Sequence, residues 1–243
     1  MGSAMSLIEI LRVLYDKIVK FDPKDSRSSN RDRVILSKGH GCLALYALLA
    51  DKKFIKNTDL DTASKFESIL GGHPESSKIP GVEVSTGALG HGFAIGVGMA
   101  IAAKLKKQKH KIYVIIGDGE SNEGSIWEAA LYASKYKLNN LKVLVDYNKH
   151  QSYGSTYEIM DLEPLGDKWR SFGFAVAEVD GHNVDELRAS LTALPLDPEK
   201  PSAIICHTVK GKGISFVENN MEWHHKSRVS ADEIQALYAA LGD

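Results

Sequence analysis

The residues with the clearest chemical potential are Gly117-Asp118-Gly119-Glu120 and, 28 positions beyond Glu120, Asn148. A β-branched run, KIYVII over 111–116, leads into the first group, and a second run, LKVLV over 141–145, leads towards the second. Neighbouring parallel strands ending there put a carboxylate and an amide oxygen at one mouth of a sheet. That pair suits Mg²⁺, a hard cation that takes oxygen ligands and shares its octahedron with phosphate oxygens. Gly117 and Gly119 let a phosphate approach the backbone closely, and a helix starting near Asn122 aims free N–H groups at the anion. Taken alone, the GDG tripeptide fits equally well a strand-to-helix turn in which Asp118 only caps the helix. The residues around it decide between the two.

The second half of the chain alternates strand and helix signals. Besides the runs at 111–116 and 141–145, strands are expected at 174–179 and 202–207. Ile126, Trp127, Ala130, Leu131 and Ala133 recur at helical spacing over 123–136. Asn183 with Glu186, and Ser230 with Glu233, have capping-box spacing for helices at 184–194 and 231–241. Repeated β-α-β units predict an α/β fold, a Rossmann-like parallel sheet with helices on both faces. Ligands in such sheets sit at the carboxyl ends of the strands. The first half reads as a helix over 5–19, a polar loop leading to Asp32–Leu36, a helix over 42–51, a glycine-rich stretch over 81–92 and a helix over 93–106.

The 243 residues, 43% hydrophobic and 25% charged, suit one large domain over 1–243 with a core that needs neither disulfides nor structural metal. A net charge of −1 speaks against nucleic acid or a membrane surface as partner. Cys42 and Cys206 lie far apart in apolar runs and read as buried, reduced thiols. The chain has neither an apolar run of about 18 residues nor a secretory signal pattern, so a cytoplasmic location is expected.

The segment from Gly117 to Gln151 resembles the thiamine-diphosphate motif in its transketolase form, through Glu120, Glu123-Gly124, Trp127-Glu128-Ala129, Leu138, Asn140-Leu141 and Gln151. Further segments are similar to the same family in the same order. They are Asp32-Arg33, Leu36-Ser37-Lys38-Gly39-His40 with Ala44-Leu45-Tyr46, Gly72-His73-Pro74-Glu75, and Ser85-Thr86-Gly87-Ala88-Leu89-Gly90-His91-Gly92. Asp180-Gly181-His182 and the stretch from Val209-Lys210-Gly211-Lys212-Gly213 to Trp223-His224 complete the series. Pyruvate dehydrogenase α-subunits and deoxyxylulose-phosphate synthases share GDG…N without the Glu120 to Glu128 pattern or the SKGH and GHPE pair.

The resemblance implies the diphosphate-binding domain of a split transketolase, moving a two-carbon ketol unit from a ketose or ketose-phosphate donor to an aldose acceptor. It implies thiamine diphosphate and Mg²⁺ as cofactors, with Ca²⁺ or Mn²⁺ as possible substitutes. Asp118, Asn148 and the carbonyl of His150 are the implied metal ligands. Gly117, Gly119 and Glu120 line the diphosphate, and Gly87 and Leu89 contact the aminopyrimidine ring. His40, His73 and His224 surround the reacting carbon and the sugar hydroxyls, where imidazoles exchange protons near neutral pH. His225 stands where the family usually has glycine. Other histidines carry blander expectations: His91 no role, His110 a solvated basic stretch, His207 a packed core position. Gly90–Gly96 has the wrong spacing for a dinucleotide loop and no strand before it. The chain enters the family pattern just after its GHxG histidine and ends before a pyrimidine-binding domain. A C-terminal transketolase subunit is therefore expected on a separate chain, in an α₂β₂ assembly. Two alternatives stay open: the same cofactor chemistry on a modified sugar in a specialised pathway, and a non-catalytic scaffold subunit.

Overall fold

The structure, a computed structural model, describes residues 2–224, 226 and 228–242; His225 lies outside them. Five strands, all parallel, form one sheet: β1 (Arg33–Leu36), β2 (Ile112–Gly117), β3 (Leu141–Tyr147), β4 (Ala175–Asp180) and β5 (Ser202–His207), in the order β1-β2-β3-β5-β4. β2 and β3 are buried along their whole length, because both of their faces are covered. The edge strand β4 is only partly covered.

The helices are α1 (Gly2–Met5), α2 (Ile8–Val13), α3 (Cys42–Asp51), α4 (Asn57–Leu60), α5 (His91–Leu105), α6 (Gly124–Lys135), α7 (Thr156–Ile159), α8 (Leu165–Ser171), α9 (Val184–Thr192) and α10 (Ala231–Leu241). Alternation along the strands divides the core in two. Tyr113, Ile115, Leu144 and Ile204 pack against Leu11, Leu45, Leu49 and Leu187 of α2, α3 and α9. Val114, Ile116, Val143 and Ile205 pack against Phe93, Val97, Ile126, Ala130 and Trp169 of α5, α6 and α8. Each such side chain, fully buried, contributes about 1.5–3 kcal/mol. A small third cluster, Ile214, Val217, Trp223 and Leu237, pins the segment after β5 to α10. Among the described residues no helix is long and apolar enough to cross a membrane.

Several boundaries differ from the sequence expectation. The helix expected over 5–19 is broken into α1, α2 and a five-residue π-helical turn, Leu14–Ile18. The Ser6 hydroxyl, at the break, reaches across to Asp146 Oδ2 at 2.7 Å. β3 runs two residues past its apolar core, since Asp146 and Tyr147 still pair with Cys206 and His207. α6 begins at Gly124, and a 3₁₀ turn, Gly119–Asn122, stands where helix N–H groups were expected. α5 begins early, at His91, because Gly90 at φ +81° turns the chain sharply into it. The Asp32–Leu36 segment, given no element type from sequence, holds strand β1, and α4, α7 and α8 have no counterpart in the sequence expectation. His207 is not a core residue: it ends β5, and its half-exposed ring sits 3.0 Å from Glu178 Oε2. Both capping residues do cap: Ser230 and Glu233 form a full capping box. Asn183 takes the N–H groups of Asp185 and Glu186, while Glu186 reaches the Asn183 amide and the Asp180 N–H.

Candidate functional site

Four parallel strands deliver short loops to one cavity of about 70 Å³ at their carboxyl ends. β1 supplies Lys38 and His40, β2 supplies Asp118 to Glu120, β3 supplies Asn148 and His150 to Ser152, and the segment after β5 supplies Lys210 and His224. Leu89, from the loop before α5, completes the wall. Of the residues singled out from sequence, His40, Leu89, Gly117, Asp118, Gly119, Glu120, Asn148, His150 and His224 all line this cavity.

His73 and Gly87 do not; they form a shoulder beside it. A Cβ on Gly87 would lie 3.0 Å from the His73 ring, and one on Gly39 would lie 2.8 Å from the Thr86 carbonyl carbon. The two glycines therefore let the GHPE loop, the STG loop and the turn carrying His40 close on one another. His73 is exposed.

Asp118 is buried, with Oδ1 accepting the Gly119 N–H at 2.7 Å and Oδ2 accepting the Lys149 N–H. Burial, and then the charge on Asp146, push its pKa up to about 7. Asn148 Oδ1 accepts the His150 N–H at 3.2 Å, and its Nδ2 donates to Asp146 Oδ2 at 3.4 Å. The His150 imidazole turns back to the Asn148 carbonyl at 3.0 Å, leaving the His150 carbonyl to face Lys210 Nζ at 3.5 Å. A carboxylate, an amide oxygen and a main-chain carbonyl thus border the same space. These hard oxygen donors fit a divalent cation such as Mg²⁺. No three His, Cys, Asp or Glu side chains gather into a metal cluster among the described residues. A cation here would draw the rest of its shell from water and ligand oxygens.

The walls also fit an anion. A Cβ on Gly119 would stand 3.0 Å from Gln151 Cγ and crowd that side chain, so glycine keeps this cradle open. Gln151 Nε2 is buried in the lining with no hydrogen-bond partner among the described residues, a donor in want of an acceptor. The Lys38 and Lys210 ammonium groups are both buried. Glu120, by contrast, turns its carboxylate inward to bond the Ser37 hydroxyl and the N–H groups of Gly90 (2.8 Å) and Gly117 (3.2 Å). Its acid group ties three loops together and leaves only the backbone of this turn to meet an anion.

Behind the cavity lies a feature that sequence reasoning gave no role. Lys38 and Asp146, both almost fully buried, form an ion pair, and Asp146 also accepts from the Ser6 and Thr208 hydroxyls. Burial opposes the charge on Asp146, but Lys38 and the two hydroxyls outweigh it and hold the carboxyl below its usual range. Lys210 is lowered to about 8 by burial and then by Lys38. His40 is lowered to about 3, by burial first and then by Lys38 and Lys210, so its imidazole is neutral. The sequence signal for Lys38 and Lys210 is a lysine embedded among glycines and small residues just after a strand.

Residues 1–243 match the family of the transketolase thiamine-diphosphate-binding domain. The chain is 45% identical over 242 residues to an apulose-4-phosphate transketolase subunit of Actinobacillus succinogenes, covering 100% of this chain and 87% of the relative. It is 45% identical over 224 residues to the 6-deoxy-6-sulfo-D-fructose transketolase subunit SqwG of Clostridium sp. MSTE9, covering 92% and 82%. A solved transketolase from Pichia stipitis superposes with a TM-score of 0.89 at 30% identity, covering 97% of this chain and 36% of that one. The chain thus spans little more than a third of that solved enzyme, and 38% of human transketolase, to which it is 35% identical.

Proposed function

We propose, for a chain that belongs to the transketolase family, that it is the diphosphate-binding subunit of a two-chain transketolase, transferring a two-carbon ketol unit from a ketose donor to an aldose acceptor. The observation that carries this reading is the convergence of Asp118, Asn148 and the His150 carbonyl with two buried ammonium groups and a glycine cradle in one cavity. Asp118, Asn148 and His150 would hold Mg²⁺, with Ca²⁺ or Mn²⁺ as substitutes. The Gly117–Glu120 turn, Gln151 and Lys210 would hold the diphosphate, and Leu89 and Gly87 would border the aminopyrimidine. Thiamine diphosphate, when bound, supplies the nucleophilic carbon and the electron sink for cleaving the bond next to a ketose carbonyl.

The chain's own part is to bind, orient and move protons. Neutral His40 offers one nitrogen as acceptor and one as donor to a sugar hydroxyl. His224 is buried in the same wall, close enough for its charge to disfavour protonation of His40. His73, on the shoulder, would meet the part of the donor that projects from the cavity. The assay is ketol transfer by the chain mixed with its partner, across a panel of ketose donors and aldose acceptors. His40→Ala is expected to lower kcat by about 10²-fold, the usual contribution of a positioned acid–base group, while leaving cofactor affinity unchanged. Loss of affinity without loss of kcat would remove His40 from this role.

A pH signature accompanies it. His40 in the folded chain takes a proton only near pH 3, whereas in the unfolded chain it does so near the ordinary value of about 6.5. A depressed histidine pKa costs stability as pH falls below that ordinary value. The His40 ring signals, followed by NMR, should therefore show no titration step between about pH 8 and pH 5, a window that spans the ordinary value. A midpoint near the ordinary histidine value would show that burial and the Lys38 and Lys210 ammonium groups do not depress the ring in this way.

A separate partner chain is supported by α5, whose outward side is mostly apolar between the exposed His91 and Lys104. Ala94, Ile95, Gly98, Ala102 and Leu105 are exposed along it, and Leu131 and Tyr132 of α6 are exposed as well. A contiguous apolar stripe on the outward face of a surface helix is one that a neighbour covers. We assign this face to the pyrimidine-binding partner, within an α₂β₂ complex in the cytoplasm. Ile95→Asp should abolish co-purification with the partner at an unchanged circular dichroism spectrum; an intact complex would move the interface elsewhere. The names of the two relatives favour a second reading, in which the sugar is a modified one. Transfer from xylulose 5-phosphate to ribose 5-phosphate would rule that out as an exclusive role.

A further inference from the structure

The Asp-Gly-His segment that closes β4 lies outside the cavity, yet its histidine is built into the loop that enters it. His182 has a largely buried side chain whose Nε2 accepts the Val209 N–H at 2.8 Å. An imidazole nitrogen that accepts a hydrogen bond carries no proton, so the neutral ring must be protonated on Nδ1. Nδ1 lies 3.2 Å from Glu9 Oε2 of α2, within ion-pair reach, and neither atom has a hydrogen-bond partner among the described residues. A carboxylate beside Nδ1 favours a proton there, which is the tautomer that the Val209 N–H requires of the ring. The approach is close: a Cβ on Gly181 would stand 2.4 Å from Thr208 Cγ2.

The residue after Val209 is Lys210. Its carbonyl accepts the Asn219 N–H at 2.8 Å, and the next N–H, of Gly211, donates to the Gly2 carbonyl at 3.1 Å. Its side chain crosses to the cavity, where Nζ stands 3.5 Å from the His150 carbonyl. The peptide that carries Lys210 is therefore held on one flank by Asn219 and Gly2 and on the other by His182. We propose that His182, with the Glu9 carboxylate beside its Nδ1, is a positioning residue that fixes the Val209–Lys210 backbone and so delivers the Lys210 ammonium to the cofactor cavity. The assignment rests on the cavity being the diphosphate site, and it gives a role to the Asp180-Gly181-His182 motif and to the N-terminal helix that supplies Glu9.

The test titrates thiamine diphosphate, at saturating Mg²⁺, into the full chain in complex with its partner. Three forms are compared: wild type, His182→Gln and His182→Phe. Gln places an amide oxygen near the position of Nε2, whereas Phe keeps a flat ring and removes the acceptor. Loss of an outer group that orients a ligand typically weakens binding about 10–100-fold, so Phe is expected to bind about tenfold more weakly and Gln within about twofold of wild type. Phe binding as tightly as wild type overturns the proposal. Gln failing as badly as Phe also overturns it, because the ring would then matter for packing alone. A second measurement needs neither variant nor cofactor: ¹⁵N NMR of the histidine-labelled wild-type complex should show His182 protonated on Nδ1 and bare on Nε2. The opposite tautomer overturns the proposal even if the Phe variant does not fold. Wild type that binds no cofactor while His182 shows the expected tautomer would instead defeat the reading of the cavity.

Discussion

Lys38→Met should lower the thermal midpoint of the chain by roughly 10 °C. The ammonium of Lys38 is the main counter-charge of Asp146, and both side chains are almost wholly removed from water. Taking one partner from a buried pair strands the other charge and costs about 3–5 kcal/mol. In a chain of this length each kcal/mol moves the midpoint by about 2–4 °C. Methionine has nearly the length of the lysine stem, so the loss cannot be assigned to a cavity. Adding Asp146→Leu to that variant should recover much of the midpoint, because replacing both members of a buried pair with apolar groups is close to neutral. Thermal denaturation followed by circular dichroism checks both. A single variant as stable as wild type would show that the pair contributes nothing to the fold, and Asp146 would have to be uncharged.

Asp118→Asn is expected to have the opposite profile, a stable chain that no longer binds its cation. Asn is nearly isosteric and keeps one of the two N–H groups that the carboxylate accepts, from Gly119 or from Lys149, while its NH₂ faces the other donor. It also removes a buried charge set against Asp146, which offsets the lost hydrogen bond, so the midpoint measured without cation should change little. Among the three oxygen donors proposed for Mg²⁺, however, Asp118 supplies the only formal negative charge. Affinity for hard cations follows the charge of the ligand set, and a loss of roughly a hundredfold or more is expected. Calorimetric titration of Mg²⁺ with thiamine diphosphate measures it. Unchanged affinity would place the cation elsewhere.

These variants fall on either side of the line between what sequence showed and what it hid. The alternating β-α pattern and the positions of Asp118 and Asn148 at strand ends were legible because strand ends, glycines and oxygen donors are local features. Nine of the residues singled out, some by those features and others, such as His40, Leu89 and His224, only by the family resemblance, line one cavity. The Lys38–Asp146 pair was not legible. Asp146 looks like the polar end of a strand and Lys38 like a solvated turn residue, and 108 positions separate them. Only the β1–β2–β3 neighbour relation brings them together. The same holds for Glu120, which reads as a ligand-facing acid beside Asp118 and instead spends its carboxylate on Ser37, Gly90 and Gly117. The break at Ser6 in the expected N-terminal helix follows the same logic, since its hydroxyl answers to Asp146 on a distant strand. Periodicity finds elements, but a buried polar network that crosses them is set by tertiary contacts that no window of sequence contains.

The most direct test is native mass spectrometry of the chain, alone and mixed with its partner, after incubation with thiamine diphosphate and Mg²⁺, with the Asp118→Ala variant alongside. The wild-type complex should retain both cofactor and cation, and the variant complex should lose them at unchanged subunit composition. A wild-type complex that assembles but carries neither would contradict the proposed function, and the cavity at the carboxyl ends of the strands would then belong to a scaffold rather than to an enzyme.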